Sequence, residues 1–466
     1  MKRSIAWKRT LALGMVLGLA VGACSPAAST APSGAASSAP SVGASSAASV
    51  APSASVAAVN ACGDAPVTLN IWGGYPELDP VYKKAGEAYK ALHPNVDFTV
   101  FSTDLRGFEQ KLTTALPSNT AGDVVIRTAN FLSRFIDQGL LAPIPADLLA
   151  FVNKDHFTDT VISDSTYNGK VVGVPVFSSG TALYYNTDML TEAGLSGPPT
   201  SMDQIWEYAK KLAKVDASGD VTRSGLSLRL SGQGSGVAEK FWILLLQYGH
   251  GLVKETSPGK WAADYNGPEG AKLLQIYVDS LRDKTDSLKI DHDAKAFETK
   301  ATAMFAREPW VVADIATNAP TLVGHYGSIS LPVADLGSSE AMFVPTSAPN
   351  PACSWDFIKF LTDQNQQLTI PPISGWLPGR KDLDLTAFLA ANPGYEGFLK
   401  KPASMTVTVT PPLPEFDELE TKLATHLVDA YADFANLAGK PDKIQALLNT
   451  WAAETNAILA KGGHGS

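Results

Sequence analysis

The segment VTLNIWGG (residues 67–74) alternates apolar and polar residues from Val67 to Ile71, which is typical of a β-strand with one buried face. Helix-spaced and strand-like patterns then follow in turn, as helix, strand, helix and strand, at 81–92, 96–100, 105–116 and 123–126. This β-α-β-α-β order predicts an α/β fold built on a mainly parallel sheet with helices on both faces.

The rest of the chain changes character several times. Residues 171–177 and 182–185 are strand-like, a largely helical stretch follows, and 301–350 returns to short strands and turns before a helical end. Within the helical stretch, Thr200 and Asp203 resemble a capping box. The alternation predicts two lobes that the chain visits in turn: residues 64–182 plus 306–348 form lobe 1, and residues 183–305 plus 349–466 form lobe 2.

Length and charge restrict the class of protein. The chain has 466 residues and a net charge of −9, with 45% hydrophobic residues, which predicts more than one domain. The acidic balance, with no basic block beyond the first nine residues, argues against a nucleic-acid partner. After residue 23 no apolar run approaches the roughly 20 residues that a membrane-spanning helix needs.

The N-terminus has the pattern of an export signal. Residues 1–23 combine a basic start with a short uncharged apolar run, as in a secretory signal peptide. The run ends in VGAC (residues 21–24), which resembles the bacterial lipobox and implies lipidation of Cys24; an ordinary cleavage site beside a chance cysteine is the alternative. Residues 24–63, rich in Ala, Ser and Pro, predict a flexible tether. The expected location is the outer face of the cell membrane, with the lipid anchor as the only membrane contact.

Two further cysteines, Cys62 and Cys353, remain in the body of the chain. An exported protein is in a compartment that permits disulfides, so these two residues are a candidate pair. Two separate buried thiols are the alternative, since the sequence does not show whether the two Cα atoms approach each other.

Motifs for catalysis are missing from the sequence. It contains no HExxH zinc motif, no GxSxG nucleophile elbow and no GxxxxGK[ST] phosphate loop. We therefore expect a protein that is not an enzyme and that has no cofactor and no metal site.

Tryptophans are the most informative candidate binding residues. Trp72, Trp310 and Trp376 stand where secondary-structure elements end, outside the periodic apolar stripes. In open α/β sheets, ligands bind beyond the carboxyl ends of strands, and flat indole faces suit sugar rings. These three residues predict a sugar site, whereas aromatic side chains that fill the core between lobes are the alternative.

Several sequence blocks, in their order along the chain, resemble the extracellular solute-binding proteins of the maltose-binding-like family 1. The blocks are LNIWG (69–73), LHP (92–94), AGDVV (121–125), NGKVVGVP (168–175), ALYYN (182–186), AGLSGPPT (193–200), FETKATAMFAREPW (297–310), CSWDFIKFL (353–361) and GWLPGR (375–380). The resemblance implies a type II periplasmic-binding-protein fold, with two α/β lobes joined by a hinge around a ligand cleft. It also implies a monomer that delivers a small solute, a mono- or oligosaccharide, to the permease subunits of an ABC importer.

The same resemblance implies a set of ligand-binding positions. They are Trp72, Tyr75, Arg127, Asn130, Ser179, Gly180, Trp242, Trp310, Trp376 and Arg380. Arg380 alternatively pairs with a neighbouring carboxylate. The adjacent tyrosines Tyr184 and Tyr185 also occur in ferric-ion receptors, so a ferric ion or a polyamine is an alternative solute, and an exported carbohydrate-active enzyme is a less favoured alternative.

Overall fold

The computed structural model describes residues 60–232, 235–290, 293–411 and 413–466. The predicted signal peptide, the lipidation site at Cys24 and the tether up to residue 59 lie outside the described residues. Within these ranges, every helix is too short or too polar to cross a membrane.

Strands of the described chain form one large sheet, one sheet of three strands and several two-stranded pairs. The strands are β1 (Val67–Gly73), β2 (Val96–Ser102), β3 (Val124–Arg127), β4 (Thr166–Tyr167), β5 (Lys170–Val171), β6 (Val174–Ser179), β7 (Ala182–Asn186), β8 (Lys214–Val215), β9 (Val221–Arg223), β10 (Val253–Ser257), β11 (Lys260–Ala263), β12 (Met304–Arg307), β13 (Tyr326–Ser330), β14 (Ala334–Leu336), β15 (Ser338–Phe343), β16 (Leu377–Pro378) and β17 (Thr406–Thr408). The large sheet has the order β16-β6-β15-β3-β1-β2, and the three-stranded sheet has the order β12-β7-β13.

Helices cover both sheets. The α-helices are α1 (Asp79–Leu92), α2 (Leu105–Ala115), α3 (Ala129–Asp137), α4 (Ala146–Val152), α5 (Asp159–Asp164), α6 (Thr187–Glu192), α7 (Met202–Leu212), α8 (Gly236–Leu246), α9 (Pro268–Arg282), α10 (Asp293–Glu298), α11 (Trp310–Asn318), α12 (Pro351–Leu361), α13 (Gln364–Gln367), α14 (Ile370–Ser374), α15 (Thr386–Ala391), α16 (Glu396–Leu399), α17 (Phe416–Ala432), α18 (Phe434–Leu437) and α19 (Pro441–Lys461). Short 3-10 helices lie at Pro76–Leu78, Pro320–Leu322 and Pro393–Tyr395.

The predicted β-α-β-α-β start is present as β1, α1, β2, α2 and β3. Strand β1 pairs in parallel with both β2 and β3. The prediction of a mainly parallel sheet is wrong for the other half, because β15 pairs antiparallel with β3 and β6, and β16 pairs antiparallel with β6. These strands arrive from distant parts of the chain, so no local crossover helix fixes their direction.

The two sheets define two lobes. We call the residues packed on the six-stranded sheet the N-lobe and those packed on the three-stranded sheet the C-lobe. The N-lobe has one apolar core on each face of its sheet, and the C-lobe is dominated by a large core of helices α7, α8, α9, α17 and α19. The chain passes from the N-lobe sheet to the C-lobe sheet between Ser179 and Ala182.

After residue 182, the chain passes between the lobes at positions other than those expected from the sequence, as the strand pairing shows. Residues 306–330, expected in lobe 1, include β13, which pairs with β7 of the C-lobe sheet. Residues 351–378, expected in lobe 2, include α12, which packs in an N-lobe core, and β16, which pairs with β6. The reason is that strand and helix patterns show which element forms, but not the sheet on which it packs.

A disulfide joins the start of the folded body to helix α12. Cys62 and Cys353 are bonded, with their Cα atoms 4.4 Å apart and a sequence separation of 291. Both cysteines are buried in the N-lobe core. A cross-link across such a long loop stabilises a fold by about 2–5 kcal/mol, chiefly by restricting the unfolded chain.

Candidate functional site

A cleft lies where the two lobes meet. Its lining residues are Tyr75, Glu77, Ser179, Ser338 and Trp376 from the N-lobe and Glu308, Pro309 and Trp310 from the C-lobe. Its volume is about 220 Å³. Three aromatic rings and several oxygen-bearing side chains therefore surround this space.

The loop after β1 forms one wall of the cleft on the N-lobe side. The strand stops at Gly73, and the 3-10 turn Pro76–Leu78 reverses the chain so that Tyr75 and Glu77 reach the cleft. A Cβ on Gly74 would lie 3.0 Å from the side chains of Leu105 and Phe108, so a larger residue would require these side chains to shift. Glycine therefore lets this loop lie close to α2.

Trp376 is held by contacts from both sides. Its Nε1 donates to Glu77 Oε1 at 3.2 Å, and its ring lies edge-on to the ring of Tyr75 with centroids 4.8 Å apart. Gly375 precedes it with φ +78, and a Cβ there would lie 2.4 Å from Trp310 Cα. The left-handed glycine therefore lets the Trp376 turn touch the backbone of the opposite lobe.

Trp310, at the start of α11, has a matching arrangement. Its Nε1 donates to Glu308 Oε2 at 3.1 Å, and the guanidinium of Arg307 lies 5.3 Å from its ring centroid. Each cleft indole thus donates to a carboxylate of its own lobe. These hydrogen bonds restrict the rotation of both rings before any ligand arrives.

Glu308 is the centre of a charged group behind the C-lobe wall. Lys240 Nζ donates to its Oε1 at 2.6 Å, and Arg307 donates to its Oε2 at 2.8 Å. Burial acts to raise the pKa of Glu308, but the two cations outweigh it and hold the pKa well below its usual value. Glu308 is therefore an ionised acceptor in the cleft. Lys240 gives no strong sequence signal, since it is a cation beside Glu239 in the first half of helix α8, whose remaining residues are apolar.

A second buried group stands behind the N-lobe wall. Tyr75 donates its hydroxyl to Glu340 Oε1 at 2.7 Å, and Arg127 NH1 donates to the same oxygen at 3.1 Å. Arg127 also donates to Glu109 through NH2 at 2.6 Å. Burial raises the pKa of Glu340, and Arg127 opposes this effect. Arg127 therefore fixes Glu340, which in turn fixes the ring of Tyr75 in the cleft.

Asp164 of α5 adds a buried carboxyl beside this group. It accepts from Ser339 Oγ at 3.0 Å, and burial, helped by Glu340, raises its pKa to about 7. The folded protein thus binds this proton more tightly than the unfolded chain does. Its contribution to the free energy of unfolding is greatest below about pH 4 and is lost as the pH rises through about 7.

We expect Asp164→Asn to remove this pH dependence. Relative to wild type, the variant should melt at a similar temperature at pH 5 and at a higher temperature at pH 8, measured by calorimetry. Asp159→Asn, at the exposed start of the same helix, is the control. Its melting temperature should differ from that of wild type by the same amount at pH 5 and at pH 8. A difference for Asp164→Asn that does not change with pH would contradict the assignment.

The expected ligand positions separate into two groups. Tyr75, Ser179, Trp310 and Trp376 line the cleft. The other six are not among its lining residues: Trp72, Arg127, Asn130, Gly180, Trp242 and Arg380. Sequence reasoning missed the cleft residues Glu77, Glu308, Pro309 and Ser338, because acidic and small residues beside a turn carry no distinguishing pattern.

Trp72 and Asn130 point to other surfaces of the N-lobe. The Trp72 ring packs on Phe101 with centroids 5.2 Å apart, and Lys111 Nζ lies 4.6 Å from its ring centroid. Asn130 is exposed in the first turn of α3. Consecutive side chains of a strand point to opposite faces, so Trp72 is directed to the α2 side of the sheet.

Trp242 and Arg380 are buried in the lobes. Trp242 is 2% exposed and packs on Phe416 in the C-lobe core, with ring centroids 5.2 Å apart. Arg380 donates twice to Asp382, at 2.8 and 2.7 Å, and once to the carbonyl of Thr362 at 2.7 Å. The alternative prediction for Arg380, pairing with a neighbouring carboxylate, is the one that the structure shows.

Comparison with known proteins identifies the family. Residues 84–397 match the family of bacterial extracellular solute-binding proteins. The chain belongs to this family. A binding protein from Brucella abortus is 23% identical over 432 residues, covering 87% of this chain and 97% of the relative. A lactose-binding protein from Rhizobium radiobacter is 30% identical over 167 residues, covering 34% of this chain and 38% of the relative.

Solved structures show the fold of this solute-binding protein. An ABC transporter solute-binding protein from Thermotoga lettingae, bound with α-D-tagatose, superposes with a TM-score of 0.68 at 21% identity and covers 84% of this chain and 99% of its own. The sugar-binding protein MalE from Xanthomonas citri gives a TM-score of 0.68 at 20% identity, covering 84% and 98%. The predicted type II periplasmic-binding-protein fold is confirmed.

Proposed function

We propose that this solute-binding protein is an exported receptor that binds a mono- or oligosaccharide in the cleft and delivers it to an ABC importer. The observation that carries the proposal is the pair of indoles, Trp310 and Trp376, contributed by different lobes to one cleft. Flat aromatic faces stack on sugar C–H faces, while Ser179, Ser338 and Glu308 supply oxygen atoms for hydroxyl groups.

The names of related proteins support a sugar. One relative is named a lactose-binding protein, and two structural neighbours were solved with bound tagatose and bound maltose. We further propose that Cys24 carries the lipid anchor, as the lipobox-like sequence indicates, and that the segment up to residue 59 tethers the body; the expected tether end at residue 63 is too late, because Cys62 is bonded to Cys353 in the N-lobe core. No catalytic step is part of the proposal, since the solute is released unaltered.

A cationic solute such as a polyamine is the second candidate. Two carboxylates, Glu77 and Glu308, line the cleft, and its lining in the described chain contains no cationic side chain. Aromatic rings also attract ammonium groups through their faces. Within the described ranges, no group of three or more His, Cys, Asp or Glu side chains is arranged to hold a metal ion.

A thermal-shift titration tests the proposal. D-tagatose, maltose, lactose and spermidine are added to the purified protein, and the recovered sugar is analysed chromatographically. We expect one of the sugars to raise the melting temperature, since a ligand at 100 times its Kd adds about 2.7 kcal/mol to the free energy of unfolding. The sugar should be recovered unchanged. A shift with spermidine alone, or cleavage of the sugar, would overturn the proposal.

A further inference from the structure

Asp335, on β14, lies where the chain crosses between the lobes. The first crossing runs from Ser179 to Ala182, and the second runs from the end of β13 to the start of β15. Asp335 Oδ1 accepts a hydrogen bond from the backbone N–H of Thr181 at 2.7 Å. Asp335 is 1% exposed and Thr181 is 2% exposed. One buried carboxylate therefore ties the two crossing segments together.

Lys401 completes this arrangement from a third segment. Its Nζ forms an ion pair with Asp335 Oδ2, and it lies shortly before β17, which pairs in parallel with β14. A Cβ on Gly180 would lie 2.6 Å from Asp335 Oδ2 and 2.9 Å from Lys401 Nζ. The ion pair thus occupies the space beside the Cα of Gly180, and this expected ligand position is not among the cleft-lining residues.

The crossing segments carry two of the cleft residues. Ser179 precedes Gly180, Ser338 follows Asp335 by three positions, and the two serines are register partners in the pairing of β6 with β15. Both line the cleft. Any shift between the crossing segments would therefore move both serines relative to the aromatic walls.

We propose that Asp335 and Lys401 are a positioning pair that fixes the two crossing segments and so holds Ser179 and Ser338 in place for the solute. Breaking a buried ion pair leaves an uncompensated charge, and the backbone nearest to that charge must adjust. Lys401 is not among the cleft-lining residues, and within the described part of the chain Asp335 and the crossing segments link it to the cleft. The effect on solute binding rests on the proposed function, whereas the effect on the crossing segments does not.

Hydrogen–deuterium exchange of the full chain tests the pair. In Lys401→Met, we expect exchange to become about tenfold faster or more in peptides covering 174–182 and 334–343, with no change in a peptide covering 67–73. Lys401→Arg should restore slow exchange, because it keeps the charge. Lys400→Met is the matched control, since the neighbouring Lys400 is exposed and its ion pair, with Glu396 four residues away, lies outside the crossing segments.

The same variants are then titrated with D-tagatose, maltose and lactose. We expect Kd to rise in Lys401→Met and to return to the wild-type value in Lys401→Arg. Uniformly faster exchange, or no local change, would overturn the positioning role. Faster exchange in the crossing segments with an unaltered Kd would overturn the link between the Asp335–Lys401 pair and solute binding. If wild type binds none of these sugars, the sugar proposal fails, while the exchange result still decides the role of the pair.

Discussion

Trp310→Ala should reduce sugar affinity by roughly 30- to 1000-fold, the effect of losing a 2–4 kcal/mol aromatic contact at the centre of a binding site. The indole lines the cleft, and Glu308 and Arg307 already orient it, so its removal deletes a prepared stacking face. The free energy of unfolding without ligand should change much less, because the side chain is only half-buried. Calorimetric titration and thermal melting measure the two effects separately.

Trp206→Ala is the matched control for this variant. Trp206 is also half-buried, and its Nε1 also has a partner, the hydroxyl of Tyr248 at 2.9 Å, but it does not line the cleft. The Trp206→Ala variant should therefore lose about as much free energy of unfolding as Trp310→Ala, without a change in sugar affinity. Full affinity in Trp310→Ala would refute the assignment of Trp310 as a stacking face.

Arg127→Met should destabilise the protein by about 3–5 kcal/mol at neutral pH, as is typical when one partner of a buried ion pair is removed. Glu340 and Glu109 would keep their charges in the interior without the guanidinium that lies against both. The Glu340 Oε2 atom has no hydrogen-bond partner among the described residues even in wild type, so the group has no alternative donor at that oxygen. Urea unfolding measures the loss.

Lower pH should partly restore the stability of Arg127→Met. Burial already raises the pKa of Glu340 and Arg127 lowers it, so the loss of Arg127 raises that pKa further. The destabilisation should therefore be smaller at pH 5 than at pH 8. Arg134→Met is the control: this exposed arginine contacts Thr113 and Phe135, and its loss should cost less than about 1 kcal/mol at either pH. Equal losses for the two arginines would contradict the account.

Local patterns predicted the start of the fold well, because strand and helix periods are properties of neighbouring residues. The order β1, α1, β2, α2, β3 follows directly from them. Details that depend on one residue were less accurate: the α7 cap is Ser201, which accepts from Gln204 N, one residue after the expected Thr200. The antiparallel pairing of β15 was missed although strands were expected within 301–350, and β16 lies in a stretch expected to be helical; the partners of both strands are far away in sequence.

The candidate site shows the same limit. Trp310 and Trp376 stand at element ends and do line the cleft, whereas Trp242, inside an apolar helix, belongs to the core. Arg127 illustrates what sequence position alone does not provide. It is the last residue of β3, one position beyond the expected strand 123–126, and Glu109 and Glu340, which are distant in sequence, hold its guanidinium.

The most direct measurement is a crystal structure of the protein with the sugar that gives the largest thermal shift among D-tagatose, maltose and lactose. We expect a sugar ring in contact with both Trp310 and Trp376, with its hydroxyls hydrogen-bonded to Glu308 and to the serines of β6 and β15, and no covalent change in the ligand. A sugar bound elsewhere on the molecule, with both indoles free of contact, would contradict it.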